Sequence, residues 1–261
     1  MTNVLDSFKL NGRIALVTGG AGKYGACIAR GLAEAGASVI IASRQIDLCE
    51  AKASEMRTDG LDTRADQVDI ADEESVKALR DRILSERGQI DILVNNAVGR
   101  PWTAPTSPAE VWRESMKVNA IGTFIITSAF LGPMVERRSG NIINIASMFG
   151  LIAQDPHIYE GTGLDSDPYG DYFFHKAGLI HYTRYLAARY AEHNIRVNCI
   201  SPGGFFASQP PKFVENYNRR TPLGRMANDD DIKGAVVYLA SDASSYVTGE
   251  NLVVDGGRTI W

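Results

Sequence analysis

Apolar and polar positions follow two alternating rhythms along the chain. Short strand-like runs, often β-branched and several of them apolar on successive residues, stand at 14–17, 39–42, 64–68, 92–94, 142–146, 197–200 and 252–254. Between them, at 24–35, 48–58, 73–87, 109–137, 172–192 and 231–240, apolar residues recur at helical spacing. Such alternation predicts repeated βα units around a mostly parallel sheet. Strands that are apolar on successive residues suit a sheet covered by helices on both faces. The expected fold class is therefore α/β, with a single doubly wound domain over 1–261 and about seven strands.

Two stretches break the rhythm, both rich in Gly, Pro and polar residues: 153–171 (AQDPHIYEGTGLDSDPYGD) and 202–222 (PGGFFASQPPKFVENYNRRTP). Each follows the C-terminal end of a predicted strand, where open α/β sheets bind ligands. Long irregular excursions inside a compact domain are commonly lids or binding loops. The first is expected to form a lid insertion over a substrate, the second a substrate loop.

Composition narrows the class without choosing a chemistry. With 44% hydrophobic and 22% charged residues the chain reads as an ordinary soluble domain, and a net charge of -4 gives no general attraction for nucleic acid or an anionic membrane. No apolar run approaches a membrane span, and the start MTNVLDSFKL lacks a basic region followed by an apolar block, so a cytoplasmic protein is expected. Cys27, Cys49 and Cys199 form no C-x-x-C pattern and the four histidines show no metal-ligand spacing. No metal is expected, and the cysteines are read as small buried hydrophobes.

Chemistry enters with the first unit, RIALVTGGAGKYGACIARGLAEAGASVIIASR. Gly19, Gly20, Gly22 and Gly25 fall between a strand and a helix, permitting a tight turn and close approach to a pyrophosphate favoured by the helix amides. This is the Rossmann arrangement for a dinucleotide. The second strand ends Ala42, Ser43, Arg44 rather than in a carboxylate. A hydroxyl and a guanidinium suit a ribose 2′-phosphate better than a free diol, and Lys23 could add a second cation, so NADP is expected in preference to NAD. Asp69 is a candidate for the adenine amino group, and Asn96 and Ala97 follow the fourth strand where short side chains leave room for the cofactor.

Of the ten tyrosines, Tyr172 alone has a lysine four residues on, Lys176. On a helix the two share a face. A phenol ordinarily ionises near about 10, so one working near neutrality needs a cation beside its anion. Tyr169 has Phe173 at that spacing and is set aside.

Taken in order, TGGAGKYG, NNA, Asn119 in KVNAIGTF, Ser147 in INIAS, Tyr172-x-x-x-Lys176, RVNCISPGG and SSYVTGENLVVDGG resemble the short-chain dehydrogenase/reductase family over nearly the whole chain. The resemblance implies hydride transfer between a nicotinamide and a carbonyl or alcohol. It assigns Tyr172 as general acid/base, Ser147 as the group orienting the substrate oxygen, Lys176 as a hold on the nicotinamide ribose, and Asn119 as the anchor of a proton-relaying water. The cofactor surface it implies comprises Gly19, Gly22, Lys23, Tyr24, Gly25, Ser43, Arg44, Asp69, Ile70, Asn96, Ala97, Tyr172, Lys176, Pro202, Gly203 and Phe205. It also implies a homotetramer or homodimer, with the helices at 109–137 and 172–192 pairing between subunits.

Four departures from the family pattern stand out. The glycines read T-G-x-x-G-x-x-G, as in the extended nucleotide-sugar epimerase branch, although the short length and C-terminal motif favour the short branch. Val98 replaces the glycine usual after NNA. Ala207 stands where a threonine often follows Pro-Gly, leaving Ser208 as a substitute hydroxyl. The interval from Ser147 to Tyr172 is 25 residues, roughly twice the family habit, which marks a local insertion. DPHIYEGTG with QPPKFVENY and TPLGRMA is similar to dehydrogenases called flagellin-modification proteins, which points to a sugar-like substrate.

In the insertion, Asp155, His157, Tyr159, Glu160 and Asp165 offer hydrogen-bonding groups for several hydroxyls. Trp102 and Trp112 could stack on a sugar ring or serve the core. Lys212, Arg219 and Arg220 could take a phosphate or carboxylate or stand as solvated charges. The leading expectation is an NAD(P)-dependent oxidoreductase of a sugar or other polyhydroxy compound. The alternatives are a 3-oxoacyl-carrier-protein reductase and, from a different class, a catalytically silent NADP-binding regulator.

Overall fold

The computed structural model describes residues 3–99, 107–164 and 169–261. Seven strands, β1 Ile14–Thr18, β2 Ser38–Ser43, β3 Thr63–Gln67, β4 Ile92–Asn95, β5 Gly140–Ile145, β6 Ile195–Pro202 and β7 Asn251–Val254, form one sheet in the order β3-β2-β1-β4-β5-β6-β7. Every adjacent pair is parallel. The helices are α1 Lys23–Glu34, α2 Ile46–Thr58, α3 Glu73–Arg87, α4 Pro108–Met116, α5 Thr123–Arg137, α6 Asp171–Tyr190, α7 Pro211–Arg219 and α8 Lys233–Ala240.

The alternation of side chains along each strand divides the core into two layers. Ala15 and Val17 of β1 pack with Ile28 and Leu32 of α1, Ala53 of α2 and Val236 of α8. Leu16, between them, faces Leu79 of α3, Phe130 of α5 and Leu186 of α6. Helix ends are set locally. The Asp72 carboxylate accepts from the amides of Glu74 (3.0 Å) and Ser75 (3.4 Å) at the start of α3, and Gly88, at φ 76°, takes the left-handed turn that ends it.

β1 pairs with β2 on one side and β4 on the other, so the chain reverses its winding direction between β1 and β4. A crevice opens at the C-terminal ends of strands at such a point.

Three expected elements differ from what is found. The stretch 109–137 is not one uniform helix: a π-helical turn, Lys117–Gly122, joins α4 to α5 and carries Asn119. Periodicity cannot detect one wide turn inside an apolar helix. The stretch 202–222 is not wholly irregular, because α7 lies within it. Pro211 occupies the first turn, where a missing N–H costs nothing, and Phe213 and Tyr217 bury one face four residues apart. At 172–192, α6 begins at Asp171 and closes in a 3₁₀ turn, Ala191–His193.

Among the described residues one helical run, Pro108–Arg137, is long and apolar enough to cross a membrane, and 44% of its apolar window is buried inside the fold. Ile126, Phe130 and Met134 supply much of that buried face. All three cysteines are buried as free thiols.

Candidate active site

The crevice is a cavity of about 650 Å³ running from the glycine loop to the inserted segment. Its floor is set by close approaches. Gly19 has φ +63°, and a Cβ there would sit 2.8 Å from Ala97 Cα; a Cβ on Gly25 would sit 2.2 Å from the Gly19 carbonyl. These contacts hold the first turn of α1 against the loop. Gly22, the N-cap of α1, gives no side-chain hydrogen bond and the first turn carries no acid, so its amides are left facing a would-be anion.

Thr18 and Asn96 lock this cradle to the neighbouring strand. Thr18 Oγ1 donates to the Val94 carbonyl (3.2 Å) and accepts from the amides of Asn96 (3.1 Å) and Ala97 (3.2 Å). The Asn96 Nδ2 donates back to the carbonyls of Thr18 (3.1 Å) and Gly19 (3.0 Å). Asn96 therefore braces the glycine loop with its amide rather than merely leaving room.

At the far end of the cradle, Ser43 Oγ accepts from the Gln45 amide (3.2 Å) and lies 3.1 Å from Cys49 Sγ. Arg44 and Lys23 are exposed, line the cavity and form no ion pair among the described residues. Asp69 Oδ1 accepts from the Ala71 amide (3.0 Å), and Ile70 is packed against Gly122 of the π turn.

On the other side of the crevice, β5 delivers Ser147, which is buried and caps a 3₁₀ turn, Met148–Gly150, by accepting from the Phe149 amide (3.2 Å). That turn packs closely on α6, since a Cβ on Gly150 would meet the Lys176 backbone at 2.9 Å. Lys176 is 5% exposed. Its Nζ donates to the Ile145 carbonyl (2.6 Å) and stands 5.6 Å from the centroid of the Tyr172 ring. The Tyr172 ring is edged by Phe149 (6.4 Å) and His175 (5.1 Å).

Asn119 lies behind this wall and does not line the cavity. Its side chain accepts from the Gly99 amide (2.8 Å) and donates to the Gly99 carbonyl (2.8 Å) and to Ser115 Oγ (3.0 Å). Ser115 Oγ in turn donates to Asp171 Oδ2 (2.5 Å), one residue before Tyr172. The Asn119 carbonyl accepts from Thr123 Oγ1 (3.0 Å).

The strand-end segment after β6 closes the cavity. Tyr24 Oη donates to the Gly203 carbonyl (2.9 Å), and its ring meets Phe205 edge-on at 5.0 Å. Burial, then the neighbouring Tyr217, pushes the Tyr24 phenol far above its ordinary value, so it stays a donor. Tyr217 Oη accepts from the Gly204 amide (2.6 Å), and burial likewise raises its phenol. Tyr217 had no signal in the sequence beyond its helical spacing from Phe213.

All sixteen expected cofactor positions line this one cavity, together with Ser147. The cradle at Gly19 and Gly25, the uncapped amides of α1 and the unpaired cations at Lys23 and Arg44 fit a nicotinamide dinucleotide.

The substrate half differs from expectation. Among the described polar residues of the insertion, only Tyr159 reaches the cavity, beside Ile158. A 3₁₀ turn, Pro156–Tyr159, points Asp155 back towards Arg220 and Arg258 (3.4 Å each) and pairs His157 with Glu160 outside (2.7 Å). Met148, Phe149, Phe213 and Met226 complete a mainly apolar lining. Trp112 is not a ring platform: its Nε1 donates to the Tyr169 carbonyl (2.9 Å), and it packs on Phe174 (5.3 Å), bracing α4 to the entry of α6. Ser208 is exposed at φ 57° and turned from the cavity, whereas Gln209, missed in the sequence, lines it. Gln209 is held by the Ala207 amide (2.7 Å) and the Phe205 carbonyl (2.8 Å). Asp165 and Trp102 lie outside the described residues, as does part of the 153–171 insertion. Lys212 and Arg219 are both paired with Glu215.

A dinucleotide cradle at the reversal of a parallel sheet, facing a serine, a tyrosine and a buried lysine, defines a nicotinamide-dependent oxidoreductase. Comparison with known proteins agrees. Residues 22–259 match a family model described as enoyl-(acyl carrier protein) reductase. The chain is 36% identical to a D-arabinitol 2-dehydrogenase (ribulose-forming) of Scheffersomyces stipitis, over 99% of this chain and 98% of that one. It is 35% identical to a D-threitol dehydrogenase of Mycolicibacterium smegmatis, over 97% and 95%. Among solved structures, a gluconate 5-dehydrogenase from Burkholderia cenocepacia in complex with NADP and tartrate superposes with a TM-score of 0.85 at 34% identity, over 99% of this chain and 100% of that one. The chain belongs to the short-chain dehydrogenase/reductase family.

Proposed function

We propose that this chain interconverts a secondary alcohol and a ketone of a small polyol or sugar-derived substrate, with NADP preferred over NAD. The observation that carries the reading is that Ser147, Tyr172 and Lys176 share one cavity with the glycine cradle. A nicotinamide dinucleotide, when bound, supplies or accepts the hydride. Tyr172 removes the alcohol proton in oxidation and returns it in reduction. Ser147 Oγ orients the substrate oxygen. Lys176, anchored by the Ile145 carbonyl, holds the ribose and favours the phenolate. Asn119 contributes by fixing Gly99 and, through Ser115, the start of α6. Arg44 and Lys23 are the groups for a 2′-phosphate.

The polyol class is supported by the named activities of the arabinitol and threitol relatives. The apolar lining at Met148, Phe149, Phe213 and Met226 favours a second reading, reduction of a 3-oxoacyl chain. Exposed Ile121, Phe124, Phe174 and Tyr185 on the α5 side of the π turn and on α6 support a homotetramer or homodimer, and the site of action is taken as the cytoplasm.

The test is turnover of purified protein with NADP⁺ and NAD⁺ on pentitols, tetritols and sugar acids, and with NADPH on an acyl-carrier β-ketoester. Polyol oxidation faster with NADP⁺ is expected. Turnover on the acyl substrate alone would replace the first reading with the second, and cofactor binding without any turnover would favour a silent NADP-binding regulator.

A further inference from the structure

A second cavity, of about 430 Å³, lies behind the substrate half and is walled by Asp155, Arg219, Arg220, Arg258 and Trp261. Its lining side chains carry three guanidiniums and one carboxylate. Arg258 is 5% exposed. Among the described residues its guanidinium gives one bond to the Arg220 carbonyl (3.2 Å) and one long bond to Asp155 Oδ2 (3.4 Å), while its Nε is buried without an acceptor. Arg220 Nε approaches the same Asp155 oxygen at 3.4 Å. One carboxylate thus serves two guanidiniums at the outer limit of bonding, and Arg219 is already held by Glu215. A buried guanidinium needs its donors met, and an orphaned one beside a cavity indicates a missing acceptor.

Asp155 is also a structural part of the lid. Its Oδ1 accepts from the His157 amide (3.0 Å) and so caps the turn Pro156–Tyr159, which carries Ile158 and Tyr159 into the catalytic cavity. On its other side, the Arg258 guanidinium lies 5.7 Å from the centroid of the Tyr217 ring, and Tyr217 lines the catalytic cavity as well. The two cavities therefore share a wall.

We propose that Arg258 and Arg220 form a binding site for a compact oxyanion, a phosphate or carboxylate group, which takes the two guanidiniums from Asp155 and so loosens the lid turn. Two guanidiniums beside an orphaned N–H can grip such an anion in a forked, charge-assisted way that a single shared carboxylate oxygen does not. Released from them, Asp155 keeps only its amide bond within the turn. The site lies outside the surface assigned to cofactor and substrate, so its ligand is an effector.

Calorimetric titration of the full chain with inorganic phosphate and, separately, with malonate, at fixed ionic strength and without substrate, tests this directly. One saturable site per chain is expected. Arg220→Gln should weaken binding about tenfold and Asp155→Asn, which removes the internal competitor, should tighten it about tenfold. The two arms distinguish a phosphate from a carboxylate ligand. Saturating anion should also speed proteolytic cleavage within 153–164. No saturable heat with either anion, or unchanged affinity in Arg220→Gln, overturns the site; binding with no change in cleavage overturns the link to the lid. Neither readout depends on which alcohol the enzyme oxidises.

Discussion

The cofactor half and the substrate half of the cavity are built on different principles. From β1 to β4 the surface is shaped by backbone: positive φ at Gly19, a helix N-terminus at Gly22, and carbonyls gripped by Asn96. Around the inserted segment the surface is shaped by side chains from distant parts of the chain. Ile158 and Tyr159 meet Phe213, Tyr217 and Met148 there, and Asn216 Nδ2 donates to the Glu160 carbonyl (3.0 Å) across 56 positions. The first kind of surface tolerates almost no added atom. The second can be repacked, which suits a family that keeps its cofactor and changes its substrate.

The sharpest break in that comparison is at the seam, where Tyr172 serves both halves. Replacing Tyr172 with Phe should lower turnover by about 10²–10⁴-fold, the usual range for losing a general acid/base, and leave cofactor affinity within about twofold. Steady-state rates beside a fluorescence titration with NADPH would check it. Retained turnover would remove the role assigned to the phenol.

Within the cofactor half, Gly25→Ala should be the most damaging small change. Its Cβ would lie 2.2 Å from the Gly19 carbonyl and 2.7 Å from Asn96 Nδ2, so the loop must move. An overpacking cost of about 1–3 kcal/mol corresponds to a cofactor Kd weaker by roughly five- to 150-fold. The equivalent insult in the substrate half, Phe213→Leu, should change KM for the alcohol by only a few-fold, because Met148 and Met226 can repack. Equal losses in the two variants would erase the distinction between halves.

A smaller effect sharpens the choice of cofactor. Arg44→Ala should weaken NADPH by about tenfold through loss of a charge-assisted contact, and leave NADH nearly unchanged. Parallel weakening of both would mean that Arg44 serves the cradle generally and not a 2′-phosphate.

The same contrast explains what is legible in the sequence. Strand positions were read to within two or three residues because alternating layers such as Val17 against α1 and Leu16 against α3 leave successive apolar residues in the sequence. Tyr172 and Lys176 were marked by helical spacing, and the glycines by their place between strand and helix. The facing of the inserted polar residues was not legible, because polarity averaged over a segment says nothing about facing. In Pro156–Tyr159 a single turn sends His157 outward and Ile158 inward. The π turn at Asn119 was invisible for a related reason: one wide turn changes no residue type, yet it swings Asn119 onto Gly99. Gln209 and Tyr217 owe their places to contacts made only after α7 docks.

The smallest effect concerns the latch between the turn Pro156–Tyr159 and the rest of the chain. Burial alone would raise the Asp155 carboxyl, but the His157 amide and the Arg258 and Arg220 guanidiniums outweigh it and hold it below its ordinary value. A carboxyl depressed in the folded state binds its proton less readily than in the unfolded chain, so its stabilisation is complete above the unfolded value of about 3.9 and is lost as pH falls through the folded one. The pair is partly exposed, which limits the contribution to about 0.5–1 kcal/mol. Urea unfolding of wild type and Asp155→Asn should therefore differ by that amount at pH 7 and converge near pH 3. A difference that persists at pH 3, where the charge is gone and asparagine still offers its oxygen to the His157 amide, would show that Asp155 acts through packing, and that the turn is held by Ile158 and Tyr159 without electrostatic help.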